Sequence, residues 1–265
     1  MSSVTWNAAD YAKNSHGQLA WALSIIHRLD LPANAAILDI GCGDGKITAE
    51  LARRVPQGFV MGIDNSPEMI EHACNTWTNE IQNIEFKIAD AQSFEPSGNF
   101  DFAFSNSTLH WITDHLAVLR NVCKALKPGG RIVFSMGGEG TASTVFCVLH
   151  EFRRNGRWAN YLSESITPYN FTGPEQYNQW LPEAGLIGTR VALIKKQITY
   201  RNLDALEGWL RTTWTPFSRL VPDELRDQFL HELALQVSLN SKTNEEGSIL
   251  LPMVNLEVEA IKSPV

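Results

Sequence analysis

Short apolar runs alternate with helix-compatible segments over the first half of the chain. The runs at 36–40, 59–64, 84–89, 100–105 and 131–136 have strand length and are bounded by turn residues, so they read as buried strands. Between them, 46–54, 67–79 and 115–126 suit helices. A further helix over 18–29 precedes the first strand, with Leu19, Leu23, Ile26 and Leu29 at helical spacing. Pro32 and Asn34 mark the turn into strand one, and Lys127-Pro128-Gly129-Gly130 is a turn signal ahead of strand five. Alternation of this kind, with short connections, predicts an α/β fold: a doubly wound, parallel sheet with right-handed crossovers.

The texture changes after Met136. Gly137-Gly138-Glu139-Gly140 is a flexible break, and 141–182 is helical and aromatic. Ile187 to Tyr200 is rich in β-formers, and 203–240 reads as two helices divided near Pro216 and Pro222. Near the end, Val254, Leu256, Val258 and Ala260 alternate with Asn255, Glu257 and Glu259, the mark of a half-exposed strand.

The first strand runs into Asp39-Ile40-Gly41-Cys42-Gly43-Asp44-Gly45-Lys46, with glycine at alternate positions and a helix starting at once. This is where a ligand approaches the backbone of an α/β sheet most closely. A dinucleotide fingerprint would need glycine where Lys46 stands. A phosphate-cradling loop would need glycine at 40 and Ser or Thr at 47, where the chain has Ile40 and Ile47. An acid beside the turn, Asp39, suits a cation and repels phosphate. Asp64, closing the second strand nineteen residues after Gly45, stands where a ribose diol is usually held. A ligand with an ammonium, a ribose and no phosphate follows, and S-adenosylmethionine has these features.

Four blocks carry a resemblance: Ile37 to Gly45; Gly62-Ile63-Asp64 with Ser66-Pro67-Glu68-Met69; Ala89-Asp90-Ala91; and Leu126-Lys127-Pro128-Gly129-Gly130. In this order they resemble the class I S-adenosylmethionine-dependent methyltransferases. The resemblance implies a seven-stranded, mostly parallel Rossmann-like sheet in one domain over 1–265. Residues 1–35 would form an N-terminal cap and 36–138 the cofactor core. Segments 139–186 and 201–249 would be cap insertions, and 187–200 and 250–262 closing strands, the last two antiparallel neighbours. Asp39 is expected near the methionine moiety's amino group, the backbone of Gly41 and Gly43 at its carboxylate and Asp64 at the ribose hydroxyls. The resemblance places Asp90 at the adenine amino group, with Met69 on the adenine face or simply filling the core, and Cys42, Asn65, Ala91 and Asn106 are also expected to bind the cofactor.

Strand four ends in Ser105-Asn106-Ser107-Thr108-Leu109-His110-Trp111. Leu-His-Trp resembles the small-molecule carboxyl methyltransferases of the trans-aconitate and juvenile hormone acid types. Trp6-Asn7 with Tyr11, and Tyr11 followed seven residues later by Gln18, add to that. By this resemblance Gln18 and Trp111 contact a substrate carboxylate, and Tyr11 closes over the cofactor. The trans-aconitate type has Gln where His110 stands, which leaves the role of His110 open. A carboxylate nucleophile needs no base. An amine, carbon or carrier-bound acyl acceptor would want one, and His110 is the candidate. A cofactor-binding partner protein without catalysis is the reading from a different class.

Composition narrows the partners. With 265 residues and 44% hydrophobic content the chain buries one good core with embellishments. A net charge of −7, with no basic run beyond doublets, argues against nucleic acid or anionic membrane. Cys42, Cys74, Cys123 and Cys147 show no C-x-x-C pair and no zinc spacing, so no metal is expected and a reduced, cytoplasmic protein is the plain reading. The start of the chain has no basic-then-apolar signal, and no uncharged run reaches the roughly 18 residues of a membrane span. A small acid as substrate and a monomer or weak homodimer are the expected partners. Six of eight tryptophans lie outside 36–138. Among them Trp209 and Trp214, with Phe217, are candidates for a pocket wall, while packing the caps explains most of the others. Arg153, Arg154 and Arg157 share a helical face that either meets an acidic substrate or is simply solvated.

Overall fold

The structure, a computed structural model, describes residues 16–95, 99–162 and 168–264, with side chains from residue 19 onward. In chain order the elements are α1 (His16–Ile26), β1 (Ala36–Ile40), α2 (Lys46–Arg54), β2 (Phe59–Asp64), α3 (Pro67–Trp77), β3 (Ile84–Ile88) and β4 (Phe100–Asn106). A 3-10 turn at Leu109–Trp111 leads to α4 (His115–Ala125), β5 (Leu126–Gly137), α5 (Ser143–Arg154), α6 (Pro174–Glu183) and β6 (Leu186–Tyr200). Then come α7 (Leu203–Thr213), the single turn α8 (Thr215–Ser218), α9 (Asp223–Leu239), β7 (Lys242–Thr243) and β8 (Ile249–Lys262).

The sheet order is β3-β2-β1-β4-β5-β8-β6, with the two-residue β7 paired to the start of β8. Strands β1 to β5 are parallel and β8 runs antiparallel to β5. All seven expected strands are present. Chain order reverses between β1 and β4, so the crevice that ligands occupy opens at the carboxyl ends of these two strands.

Both faces of the sheet are covered, which is why its strands read as runs rather than alternations. Within β1, Ile37 packs with Val60, Phe102, Phe104 and Val133 against Trp21, Ile25 and Ile26 of α1 and Ala49 and Ala52 of α2. Its neighbours Leu38 and Ile40 point the other way, with Phe134 and Met136, against Val118, Leu119 and Val122 of α4 and Tyr177 and Leu181 of α6. Local chemistry fixes the helix starts: Ser66 caps α3 by accepting from Met69 N–H at 3.3 Å with Pro67 next to it, and Asp114 caps α4 by accepting from Ala117 N–H at 2.9 Å.

Several boundaries shift by two or three residues, as where α1 ends at Ile26 rather than 29, and the stretch 203–240 holds α8 as a third, single-turn helix. One boundary departs in kind. Lys127-Pro128-Gly129-Gly130 does not separate helix from strand; it lies inside β5, whose ladder to β4 jumps from Phe100–Leu126 to Phe102–Arg131. The turn residues are accommodated as a bulge, with Gly129 at φ 76°.

The chain divides into two compact units. The first comprises 16–139, 169–194 and 255–265 and contains the crevice; the second is built from Gly140–Pro168 and Lys195–Val254. The second unit has its own aromatic interior. Trp214 stands 5.0 Å from Phe146 and 5.7 Å from Phe217, and Trp209 lies 5.6 Å from Tyr200. Trp214 and Phe217 are 3% and 1% exposed, so the residues expected to wall a pocket fill this interior instead. The basic group is engaged locally: Arg153 lies over Phe217, Arg154 faces Glu151, and Arg157 reaches Gln228 and Glu232 while covering Trp158. Arg154 and Arg157 are exposed, as a solvated face requires, whereas Arg153 is half-buried. No helix among the described residues is long and apolar enough to cross a membrane.

Candidate active site at the carboxyl ends of β1, β2 and β4

The turn after β1 is made by backbone conformations that side chains rarely tolerate. Gly41, Gly43 and Gly45 have φ of 70°, 54° and 77°. Around Gly41 and Gly45 space is closed as well: a Cβ at Gly41 would lie 2.1 Å from Thr108 Cγ2, and one at Gly45 2.7 Å from Phe86. At Gly43 the position is open, with nothing within 4 Å. The turn therefore presents bare backbone to open space at Gly43 alone.

Side chains from three other elements hold the turn. Asp64, at the end of β2, accepts from Gly43 N–H at 3.0 Å through Oδ2 and from Ser66 N–H at 2.9 Å through Oδ1. Thr108 Oγ1 donates to the Gly41 carbonyl at 3.1 Å, and Trp77 Nε1 donates to that of Asp44 at 2.9 Å. Asp39 is 2% exposed and accepts from Thr48 Oγ1 in the first turn of α2 at 2.7 Å. Burial pushes its carboxyl up to about 7, against the downward pull of the Thr48 bond and with help from the nearby Asp64 charge. Burial also raises Asp64, while the N–H groups of Ser66, Gly43 and Asn65 pull it back. Two carboxylates thus meet one open glycine turn. This donor and acceptor set fits a nucleoside carrying a diol and an ammonium and disfavours a phosphate.

Of the remaining predicted cofactor residues, Met69 is buried at 3% and Ala91 at 9%, while Asn65 and Asp90 are exposed. Asp90 accepts from Gln92 N–H at 2.9 Å, closing the turn after β3. Cys42 is buried against Gly62. Asn106, 6% exposed at the end of β4, donates to Ser107 Oγ at 3.1 Å. Tyr11 and the Gln18 side chain lie outside the described residues.

The 3-10 turn brings His110 and Trp111 to the same edge. His110 Nδ1 accepts from Gly137 N–H at 3.2 Å, so in the neutral ring the proton belongs on Nε2. Burial first, then His115, lowers its pKa from 6.5 to about 3, which keeps the ring neutral. His110 consequently offers a hydrogen-bond donor. The nitrogen that accepts protons is already engaged.

Sequence reading missed the segment that frames these two residues. Asn170 N–H donates to the His110 carbonyl at 2.7 Å, and its Nδ2 to that of Thr113 at 3.1 Å. The flanking Tyr169 and Phe171 then pack onto the turn: Trp111 meets Tyr169 edge-on at 4.7 Å, and Phe171 stacks on His110 at 5.6 Å and on Tyr169 at 5.1 Å. The aromatic run Tyr169-Asn170-Phe171 was the available signal, without a partner in the sequence to assign it to.

Fold and site together define a class I S-adenosylmethionine-dependent methyltransferase. The chain belongs to the methyltransferase domain family, whose profile matches residues 31–185, and S-adenosyl-L-methionine is its cofactor. It is 32% identical over 221 residues to an uncharacterised methyltransferase of Schizosaccharomyces pombe, covering 82% of this chain and 83% of that one. It is 26% identical over 257 residues to a trans-aconitate 2-methyltransferase of Methylobacterium nodulans, covering 95% and 96%. Among solved structures, phosphoethanolamine N-methyltransferase 2 of Haemonchus contortus, in complex with S-adenosyl-L-methionine, shares the fold with a TM-score of 0.62 at 19% identity. That match covers 97% of this chain and 56% of the other.

Proposed function

We propose that this enzyme methylates a carboxylate of a small molecule, giving the methyl ester. The observation that carries the proposal is the Gly137 N–H bond to His110 Nδ1: it leaves the only histidine of the 3-10 turn a neutral donor. A base catalyst needs a free acceptor nitrogen and a pKa near the working pH, and His110 has neither. A carboxylate acceptor is already ionised and needs only donors that orient it. His110 Nε2–H and the Trp111 indole N–H supply that chemistry, with the Gln18 amide proposed as a third donor. The similarity to trans-aconitate 2-methyltransferases supports the same substrate class.

The cofactor, when bound, would supply an electrophilic methyl group for in-line transfer to the acceptor oxygen, with its sulfur leaving as a neutral thioether. The chain's residues bind and align. In this reading the open face at Gly43 lies against the methionine moiety, Asp39 lies toward its ammonium, and Asp64, with Asn65 beside it, takes the ribose hydroxyls. Asp90, Ala91 and Met69 frame the adenine, and Asn106 lies beside the cofactor at the end of β4. Tyr11 is assigned to cover the cofactor, and Cys42 sits within the turn. Tyr169 and Phe171 exclude water beside the acceptor's donors.

Substitution at His110 tests the reading. His110→Gln keeps a donor and retains activity within about tenfold, whereas His110→Ala loses a charge-assisted bond and falls by about ten- to hundredfold. A loss of about a thousandfold in both variants, with native activity falling on the acid side of the rate profile as the group protonates, identifies a base and overturns the proposal.

A further inference from the structure

The cofactor turn and the acceptor turn are separate in sequence, yet one side chain touches both. Thr108 is the residue before the 3-10 turn of His110 and Trp111, and its carbonyl accepts from Trp111 N–H at 2.9 Å. Its hydroxyl is directed at the other half of the site, 3.1 Å from the Gly41 carbonyl and 3.2 Å from that of Asn106. Its Cγ2 occupies the place a Gly41 Cβ would take, at 2.1 Å. Three residues before Thr108, Ser105 Oγ donates to the carbonyl that precedes that of Gly41, the Ile40 carbonyl, at 2.9 Å. Two successive carbonyls of the β1 exit are thus tied to side chains of the β4 exit.

The backbone between those two side chains is itself unusual. Ser107 holds φ 58°, a left-handed conformation rare for a non-glycine residue, and is fixed there by its N–H to the Ser135 carbonyl at 2.8 Å and by Asn106 Nδ2 on its hydroxyl. This kink turns the chain so that Thr108 faces Gly41 while His110 and Trp111 continue beyond it. A strained residue at the joint of two half-sites is where structure is expected to hold geometry against local preference.

We propose that Thr108 is a positioning residue: its hydroxyl sets the Gly41 carbonyl, and thereby the cofactor turn, in register with the turn that carries His110 and Trp111. The inference rests on the reading that the glycine turn receives the cofactor. Thr108 makes no contact with cofactor in this role; it acts through Gly41 on one side and through its own backbone on the other. Occupancy of the cofactor turn then steadies the acceptor turn through this single bond.

Two substitutions separate the hydroxyl from the methyl. Thr108→Val keeps the shape against Gly41 and removes the donor; Thr108→Ser keeps the donor and removes the methyl. With S-adenosylhomocysteine as the probe in titration calorimetry, Thr108→Val is expected to bind about tenfold more weakly, the effect of one lost hydrogen bond, while Thr108→Ser binds within about twofold of native. Hydrogen exchange gives the second readout: the probe slows exchange over 106–112 in the native and Ser proteins and not in the Val protein. Native-like binding by Thr108→Val, equal weakening in Thr108→Ser, or unchanged protection in Thr108→Val would each overturn the proposal. Asp64→Ala, run alongside, separates the two levels. If it too leaves the probe's affinity unchanged, the glycine-turn reading fails and the role of Thr108 fails with it.

Discussion

Asp39, proposed to face the cofactor's ammonium, should make both stability and cofactor binding depend on pH. Its carboxyl is buried, holds one hydroxyl bond from Thr48, and is pushed from 3.8 to about 7. In the unfolded chain the same group is ionised above about pH 4. Between about pH 4 and 7 the native state therefore keeps a proton that the unfolded state has released, and stability falls as pH rises through that window. The gap corresponds to roughly 4 kcal/mol at about 1.36 kcal/mol per pH unit. Asp39→Asn removes this dependence, and the Asn carbonyl can still accept from Thr48. Its melting temperature should therefore exceed the native value at pH 8 and approach it near pH 5. For the cofactor the sign is opposite. An ammonium placed toward Asp39 selects the ionised form, whose share rises from about one in ten at pH 6 to nine in ten at pH 8, so affinity should increase roughly tenfold across that range. Calorimetry of S-adenosylhomocysteine with native protein and Asp39→Asn at both pH values measures it, the variant sharing any titration of the ligand itself. If both proteins show the same pH dependence and the same affinity, the ammonium does not lie toward Asp39 and that part of the site is wrong.

Further predictions separate fold from binding at neighbouring positions. Gly41→Ala meets Thr108 at a left-handed φ and should cost more than about 2 kcal/mol of stability in a denaturant titration. Gly43→Ala meets nothing within 4 Å, so it should cost only about 1 kcal/mol yet weaken S-adenosylhomocysteine at least tenfold by occupying the open backbone face. Equal losses of stability in the two would contradict this division. Phe171→Ala, which removes the ring stacked on His110, should raise the KM for the acid severalfold and leave the affinity for S-adenosylhomocysteine unchanged; a change in the latter alone would assign Phe171 to the cofactor side.

The parts legible in the sequence are those written locally. Strand positions followed from apolar runs because both faces of the sheet are covered, and Asp39, the glycines and Asp64 followed from residue types that a sharp turn beside a ligand requires. Lys127-Pro128-Gly129-Gly130 misled because its residues signal a turn whether it ends an element or bulges within one; only the β4–β5 register decides. The wall at Tyr169 and Phe171 was not legible. Its tie to His110 runs through Asn170, sixty residues away, and no periodicity encodes such a pairing. The same holds for Gly137 and His110. The proposed donor role of His110 rests on a single backbone N–H contributed by a strand that follows a whole helix later. Trp209, Trp214 and Phe217 were overread for the converse reason. An aromatic cluster looks alike in sequence whether it lines a cavity or fills an interior.

In the proposed reaction the acceptor atom is a carboxylate oxygen. Incubating the native enzyme with methyl-labelled S-adenosylmethionine and a panel of small mono-, di- and tricarboxylic acids, beside matched amines and alcohols, addresses it directly. Label entering an acid and released as methanol by mild alkali, with none entering the amines or alcohols, is the predicted result. Alkali-stable label on nitrogen, carbon or an ether oxygen, with the acids untouched, would contradict it.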